Sequence, residues 1–231
     1  MKFETPLIPG KLIKRYKRFL ADIELDTGEI ITAHCPNSGS MKGINTPGAP
    51  VMVQYVPSPT RKLKYTWELI HNGLCWVGLN TIRANRIVEE AIRGKSIKEL
   101  RKFDQLFREK KYGINSKIDF LMTDDGRSIY VEVKNVTLVE GRTAMFPDAV
   151  TTRGQKHMQE LAQMVQEGHR AVVLFLIQRE DADGFRPADS IDPEYSRLLR
   201  EAVTAGVEIL PYQCKVSTTE IIIHRKLPAF L

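Results

Sequence analysis

The 231 residues are 42% hydrophobic and 27% charged, which supplies one large core or two modest ones and excludes a disordered chain. A formal net charge of +6 permits a polyanionic partner without demanding one. Cys35, Cys75 and Cys214 are odd in number and lie at neither CxxC nor zinc spacing, which argues against a disulfide framework or structural zinc, and no apolar run approaches the roughly 18 residues of a bilayer span.

The N-terminal MKFETPLIPGKLIKRYKRF lacks the apolar centre of a signal peptide, so a cytoplasmic protein without a membrane partner is expected. From Lys11 to about Val77, short alternating runs are broken by turn residues: LIKRYKRFLADIEL, Thr27-Gly28, EIITAHC, PNSGSMKGINTPGAP, VMVQYV, YTWELI and LCWVGL. Five or six short strands at this spacing predict a small closed barrel or sandwich. In the first of them Lys11, Lys14, Arg15, Lys17 and Arg18 cluster around Tyr16 and Phe19. That mixture suits a groove for nucleic acid, and equally an edge strand blunted by lysine. Arg61, Lys62 and Lys64 form a second basic group in a loop. CPNSGSM is not a nucleophile elbow, because G-x-S-x-G is absent and neither Ser38 nor Cys35 has an identifiable base; a tight turn explains it better. His34 and His71 have no metal spacing, and Trp67 and Trp76 read as barrel core.

After Asn80 the texture changes. NTIRANRIVEEAIRG predicts a helix with Ala84, Ile87, Val88 and Ala91 on one face and Gly94 as its stop. Two strands follow in KIDFLMTDDGRSIYVEVKN, then a third extended run near VTLVEGRTAMF, so that the region reads helix, three strands, helix. A helix from about Arg153 to Glu167 comes next, with Thr152 and Gln155 in capping-box spacing and Gly168 as its end. Ala171 to Ile177, AVVLFLI, predicts a strand covered on both faces; Asp192-Pro193 opens another helix, Gly206 closes it, and VEILPY and EIIIHRKL supply late strands. The layout is α/β, with expected domains of 1–79 and 80–231.

Asp125-Gly126 suits a two-residue hairpin loop, since both positions take positive φ cheaply. Counting back from that loop sets Asp119 opposite Glu132, with Lys134 on the face of Glu132 and Ile129, Val131 and Val133 on the other. Two like charges in direct opposition destabilise a hairpin unless something compensates. A divalent cation would: Mg²⁺ takes one or two carboxylates plus waters and phosphate oxygens, and a neighbouring lysine can neutralise developing charge. A solvated salt-bridge patch on an exposed sheet face is the other reading of the same residues.

Asp119, a short hairpin and then Glu132-Val133-Lys134, between two helices, resembles the PD-(D/E)xK nuclease superfamily, although Ile118 stands at the nominal proline. Pro147-Asp148 follows the ExK element and is read as a loop feature. The segments CPNSGSMKG, GLNTIRANRIVEEAI, YGINSKIDF, VEVKNVTL and FPDAVTTRGQKHMQEL are similar to those of the sugar fermentation stimulation protein A family. That resemblance implies an N-terminal OB-fold-like barrel joined to a nuclease-like α/β domain with a central mixed sheet. It also implies binding of DNA without strong sequence preference, and a link to regulation of sugar metabolism. Mapped by motif, Asp119, Glu132 and Lys134 fall on catalytic positions, Asp119 and Glu132 on metal positions for Mg²⁺ or Mn²⁺, and Glu90 or Glu89 on an extra carboxylate of the first helix. Arg153, Lys156 and His157, at the start of the later helix, join the basic strand residues as expected DNA contacts. The alternatives are a non-catalytic DNA-binding regulator and an enzyme of RNA processing or repair; the sequence does not choose between DNA and RNA.

Overall fold

The computed structural model describes residues 1–113 and 115–231; Ile114, within the YGINSKIDF segment, lies outside the described residues. The N-terminal part is built from β1 (Ile8–Tyr16), β2 (Leu20–Leu25), β3 (Ile30–His34), β4 (Pro50–Tyr55), β5 (Tyr65–His71) and β6 (Trp76–Gly78). Their order is β3-β2-β1-β4-β5-β6, and a parallel pairing of β3 with β5 closes the sheet into an OB-like barrel. Alternation along the strands does the sorting. Leu12, Ala21, Ile23, Ile31, Val51 and Val53 point inward, and Trp67 is wholly buried with its indole N–H donating to the Leu69 carbonyl at 2.9 Å.

The larger part contains α1 (Ala84–Arg93), β7 (Gln105–Tyr112), β8 (Ser116–Asp124), β9 (Arg127–Val136), β10 (Leu138–Glu140), β11 (Thr143–Phe146), α2 (Thr152–Gln166), β12 (Arg170–Ile177), β13 (Gly184–Pro187), α3 (Pro193–Thr204), β14 (Glu208–Val216) and β15 (Ile221–Lys226). Six of these strands form one mixed sheet, β15-β14-β12-β9-β8-β7, in which β12 runs parallel to both β9 and β14. The residues of α1 share a core with one face of this sheet, and those of α2 and α3 with the other. Met1 belongs to the α1-side core, and its amine donates to the Ile221 carbonyl. Among the described residues no helix is long and apolar enough to cross a membrane.

The expected central strand is β12, and it is buried along almost its whole length. Truncating it opens a cavity between two packed layers, so Leu174→Ala is expected to cost about 2–5 kcal/mol, read as a lower urea midpoint at constant slope.

Two expectations are corrected. The third strand of the hairpin sheet is β7, not the VTLVEGRTAMF run, which instead makes β10 and β11 of a separate small sheet with β13. β7 is an edge strand exposed along most of QLFREKKY, so it carries no alternating apolar signal. The cap of α2 is Thr151, one residue earlier than the capping-box spacing suggests, with its hydroxyl accepting from the Gly154 N–H at 3.0 Å. Asp192 caps α3 and also accepts from the Thr151 N–H at 2.8 Å, which ties the two helix starts together.

Candidate active site

The hairpin forms as the loop chemistry dictates. Asp125 and Gly126 take φ of 47° and 76°, and pairing runs from Asp124 with Arg127 up to Phe120 with Val131. There the ladder stops. Asp119 is not a ladder partner of Glu132; its carboxylate Oδ2 instead accepts the Val133 N–H at 2.8 Å, replacing the backbone bond that the diverging strand no longer supplies. On the other side of β8, pairing with β7 skips Asp119 and Glu109, and Glu109 has φ of 50°. Side-chain alternation resets at this irregularity: Ile118 packs under α2 and α3, whereas Phe120 packs under α1.

Glu132 and Lys134 share the face turned toward α2, as alternation requires. This is not a solvated patch. Glu132 is 4% exposed, and the Lys134 side chain 11%. Lys134 Nζ donates to Glu132 Oε1 at 2.8 Å, and His157 Nδ1 lies 2.5 Å from the same oxygen. Both partners engage Oε1, while Oε2 is buried with no hydrogen-bond partner among the described residues. An orphaned buried carboxylate oxygen costs about 1–3 kcal/mol, which is tolerable where a ligand can satisfy it.

The two carboxylates are driven apart electrostatically. Burial and the charge of Glu132 push the Asp119 carboxyl above the ordinary carboxylate range. Burial raises Glu132 too, but the Lys134 ammonium and His157 more than offset it and hold it below that range. A cation between them would relieve the repulsion. Among the described residues no group of three or more His, Cys, Asp or Glu is placed to hold a metal. Two carboxylates nevertheless fit a hard cation that completes its shell with water and phosphate oxygens, as Mg²⁺ does.

These groups line a cleft of about 550 Å³ between the barrel and the α/β part, with Arg153 from the first turn of α2 on one wall. From the barrel come Arg18, in the turn after β1, and the Asn37–Gly39 loop. Asn37 Oδ1 accepts the Gly39 N–H at 2.8 Å, confirming the tight turn. That turn meets Asp148 so closely that a Cβ on Gly39 would lie 2.2 Å from Asp148 Oδ2. Gly39→Ala must therefore push the Asp148 carboxylate aside, at an expected cost of about 1 kcal/mol in denaturant unfolding.

The other expected site residues sit elsewhere. Glu90 pairs with the Met1 amine at 2.9 Å and with Arg86 at 3.2 Å, Glu89 pairs with Arg93 and Arg108, and neither lines the cleft. What α1 sends toward Asp119 is Asn85, whose Nδ2 donates to Oδ1 at 2.8 Å. His157, expected as a DNA contact, is 2% exposed and bound to Glu132. Lys156 pairs with Glu160 off the cleft wall. Arg15 donates to the Asn37 and Gly39 carbonyls, both at 2.9 Å, and so holds a loop. Lys11, Lys14 and Lys17 do not line the cleft, and Lys14 lies 3.6 Å from Asp22. Nothing in the sequence marks Asn85 or Asn37 as site residues; for Asp148 the one signal is the literal Pro147-Asp148 pair, which follows the ExK element.

Residues 13–79 match the family model described as the SfsA N-terminal OB domain, and residues 82–220 match that of the sugar fermentation stimulation protein RE domain. A sugar fermentation stimulation protein homolog of Geotalea uraniireducens is 55% identical over 227 residues, covering 98% of each chain. That of Geotalea daltonii is 54% identical over the full length of both. The solved structure of Pyrococcus furiosus SfsA in complex with Ca²⁺ superposes with a TM-score of 0.89 at 28% identity, covering 100% of this chain and 98% of that one.

Proposed function

The chain belongs to the sugar fermentation stimulation protein family, and from that premise we propose that it is a cytoplasmic DNA-binding protein whose Asp119, Glu132 and Lys134 form a Mg²⁺- or Mn²⁺-dependent phosphodiester-hydrolysing site. The observation that carries this reading is the buried Glu132 Oε2, left without a partner beside a second carboxylate in a cleft that also presents Arg18 and Arg153.

Asp119 and Glu132 would hold the cation. When bound, it supplies Lewis-acid polarisation of a phosphoryl oxygen and a lowered pKa for an attacking water. His157 keeps Glu132 in place by engaging Oε1, which leaves Oε2 available to a cation. Lys134, on the same sheet face, sits where it can neutralise charge that develops on the phosphoryl oxygens. Arg18 and Arg153 orient the strand by its phosphates. The Ca²⁺ bound by the Pyrococcus furiosus relative is consistent with an oxygen-rich cation site.

One observation favours a second reading. Lys134 is already engaged at 2.8 Å by Glu132, a pairing that would also suit a non-catalytic DNA-binding regulator that keeps the fold without turnover. The test is a labelled DNA incubated with Mg²⁺, with Mn²⁺ or with EDTA, for the wild type and for Glu132→Ala. Metal-dependent cutting that disappears in the variant while DNA binding survives supports the enzyme. Retarded but intact DNA in every lane supports the regulator.

A further inference from the structure

The cleft does not end at the carboxylates. A second hollow of about 390 Å³ shares Thr81, Asp119, Val133 and Asn135 with it, and a third of about 680 Å³ shares Ile82 with the second. Beyond the third, Arg61 also walls a further hollow that contains Tyr55 and Lys64. Together they follow the seam between the barrel and the start of α1, from Asp119 to the 57–64 loop.

The chemistry along this path alternates. Arg18 and Arg153 stand at the carboxylate end. Ile82, a large apolar side chain 75% exposed, lies midway, over a floor where the buried Glu68 is neutralised by Arg83 at 2.7 and 2.9 Å. At the far end Arg61 is anchored to Thr66 at 2.9 Å, and the exposed Lys62 and Lys64 make no ion pair among the described residues. Tyr55, 41% exposed, offers a ring held 5.3 Å from that of Tyr65. Spaced cations with an apolar step and an aromatic face between and beside them match a polymer that alternates anionic links with flat apolar faces.

The 37–39 loop of the barrel walls the cleft, with Gly39 packed against Asp148, and just beyond it Lys42 Nζ lies 3.1 Å from Glu140. A hollow of about 550 Å³ is of the size that takes a nucleotide-sized ligand. We propose that the seam is a track for one unpaired strand of nucleic acid, which delivers single-stranded or frayed ends to the cleft. This deepens the phosphodiesterase reading, on which the role of the cleft rests.

The test is fluorescence anisotropy in EDTA with the full chain. The probes are a labelled single strand, the matching blunt duplex and a duplex with a single-stranded tail, each over a range of salt. The track predicts that the single strand and the tailed duplex bind tighter than the blunt duplex by roughly tenfold or more, and that Tyr55→Ala weakens the single strand by a similar factor. In the Arg61→Ala/Lys62→Ala variant the log–log salt slope should shrink by about 1.4, two contacts at about 0.7 each. Equal or tighter binding of the blunt duplex, or an unchanged slope, overturns the track. The two readings can fail separately. Internal cutting of a closed duplex that is lost in Glu132→Ala removes the track and keeps the nuclease; the predicted strand preference without cutting in Mg²⁺ or Mn²⁺ keeps the track and removes the nuclease.

Discussion

Asp119→Ala is expected to lose both Mn²⁺ binding and metal-dependent cleavage, the latter by at least about 10²–10³-fold, as befits removal of a group that stabilises developing charge through the metal. The reason lies in how its carboxylate is spent. One oxygen accepts the Val133 N–H and the other the Asn85 amide, so its position is fixed from two elements. Burial and the charge of Glu132 meanwhile disfavour its ionised form, which a bound cation would restore. Calorimetric titration with Mn²⁺ reads the binding half and labelled DNA the cleavage half. Asp119→Asn keeps the shape and part of the hydrogen bonding, so it separates loss of charge from loss of fold. Unchanged Mn²⁺ affinity in a folded Asp119→Asn protein would remove Asp119 from the metal site.

Lys134→Ala should behave differently. Its ammonium is a neighbour of Glu132 and not a metal ligand, so Mn²⁺ binding survives while turnover falls by about 10²–10³-fold. The loss should appear in kcat more than in KM, because the charge that Lys134 meets develops only on the way to the transition state. Glu132 keeps its contact to His157 in this variant and remains placed. Loss of Mn²⁺ binding together with turnover would mean that Lys134 mainly holds Glu132. Arginine is a poor substitute, since a planar fork cannot occupy the point position of an ammonium that is only 11% exposed.

Local chemistry carries the parts of this molecule that could be read from its sequence. Asp125-Gly126 sets the hairpin register because a two-residue loop allows few alternatives. β12 announces itself because a strand buried on both faces must be apolar throughout. What was not legible depends on neighbours that lie far away in sequence. The departure of Asp119 from the ladder coincides with an irregularity in the neighbouring strand, where β7 skips Glu109 opposite it, and pattern along β8 does not reveal that. His157 looks like an exposed cation at a helix start until α2 is laid on the sheet and its ring meets Glu132. From α1 it is Asn85 that meets Asp119, while Glu90 pairs with the Met1 amine and Glu89 with Arg93 and Arg108, contacts that helical periodicity does not reveal. Arg15 and Arg18, three residues apart in one basic run, divide their roles because the chain turns at Lys17 and Arg18, both with positive φ. One clamps the Asn37–Gly39 loop and the other enters the cleft.

The central claim is that the unpartnered oxygen of Glu132 belongs to a working metal site. The most direct measurement is incubation of the purified wild-type chain with labelled single-stranded DNA in Mg²⁺, Mn²⁺ and EDTA, beside Glu132→Gln, which keeps the volume and removes the charge. The account predicts cleavage in Mg²⁺ or Mn²⁺, none in EDTA and none in the variant. DNA left intact by the wild type under every metal condition, or cut equally by Glu132→Gln, would contradict it.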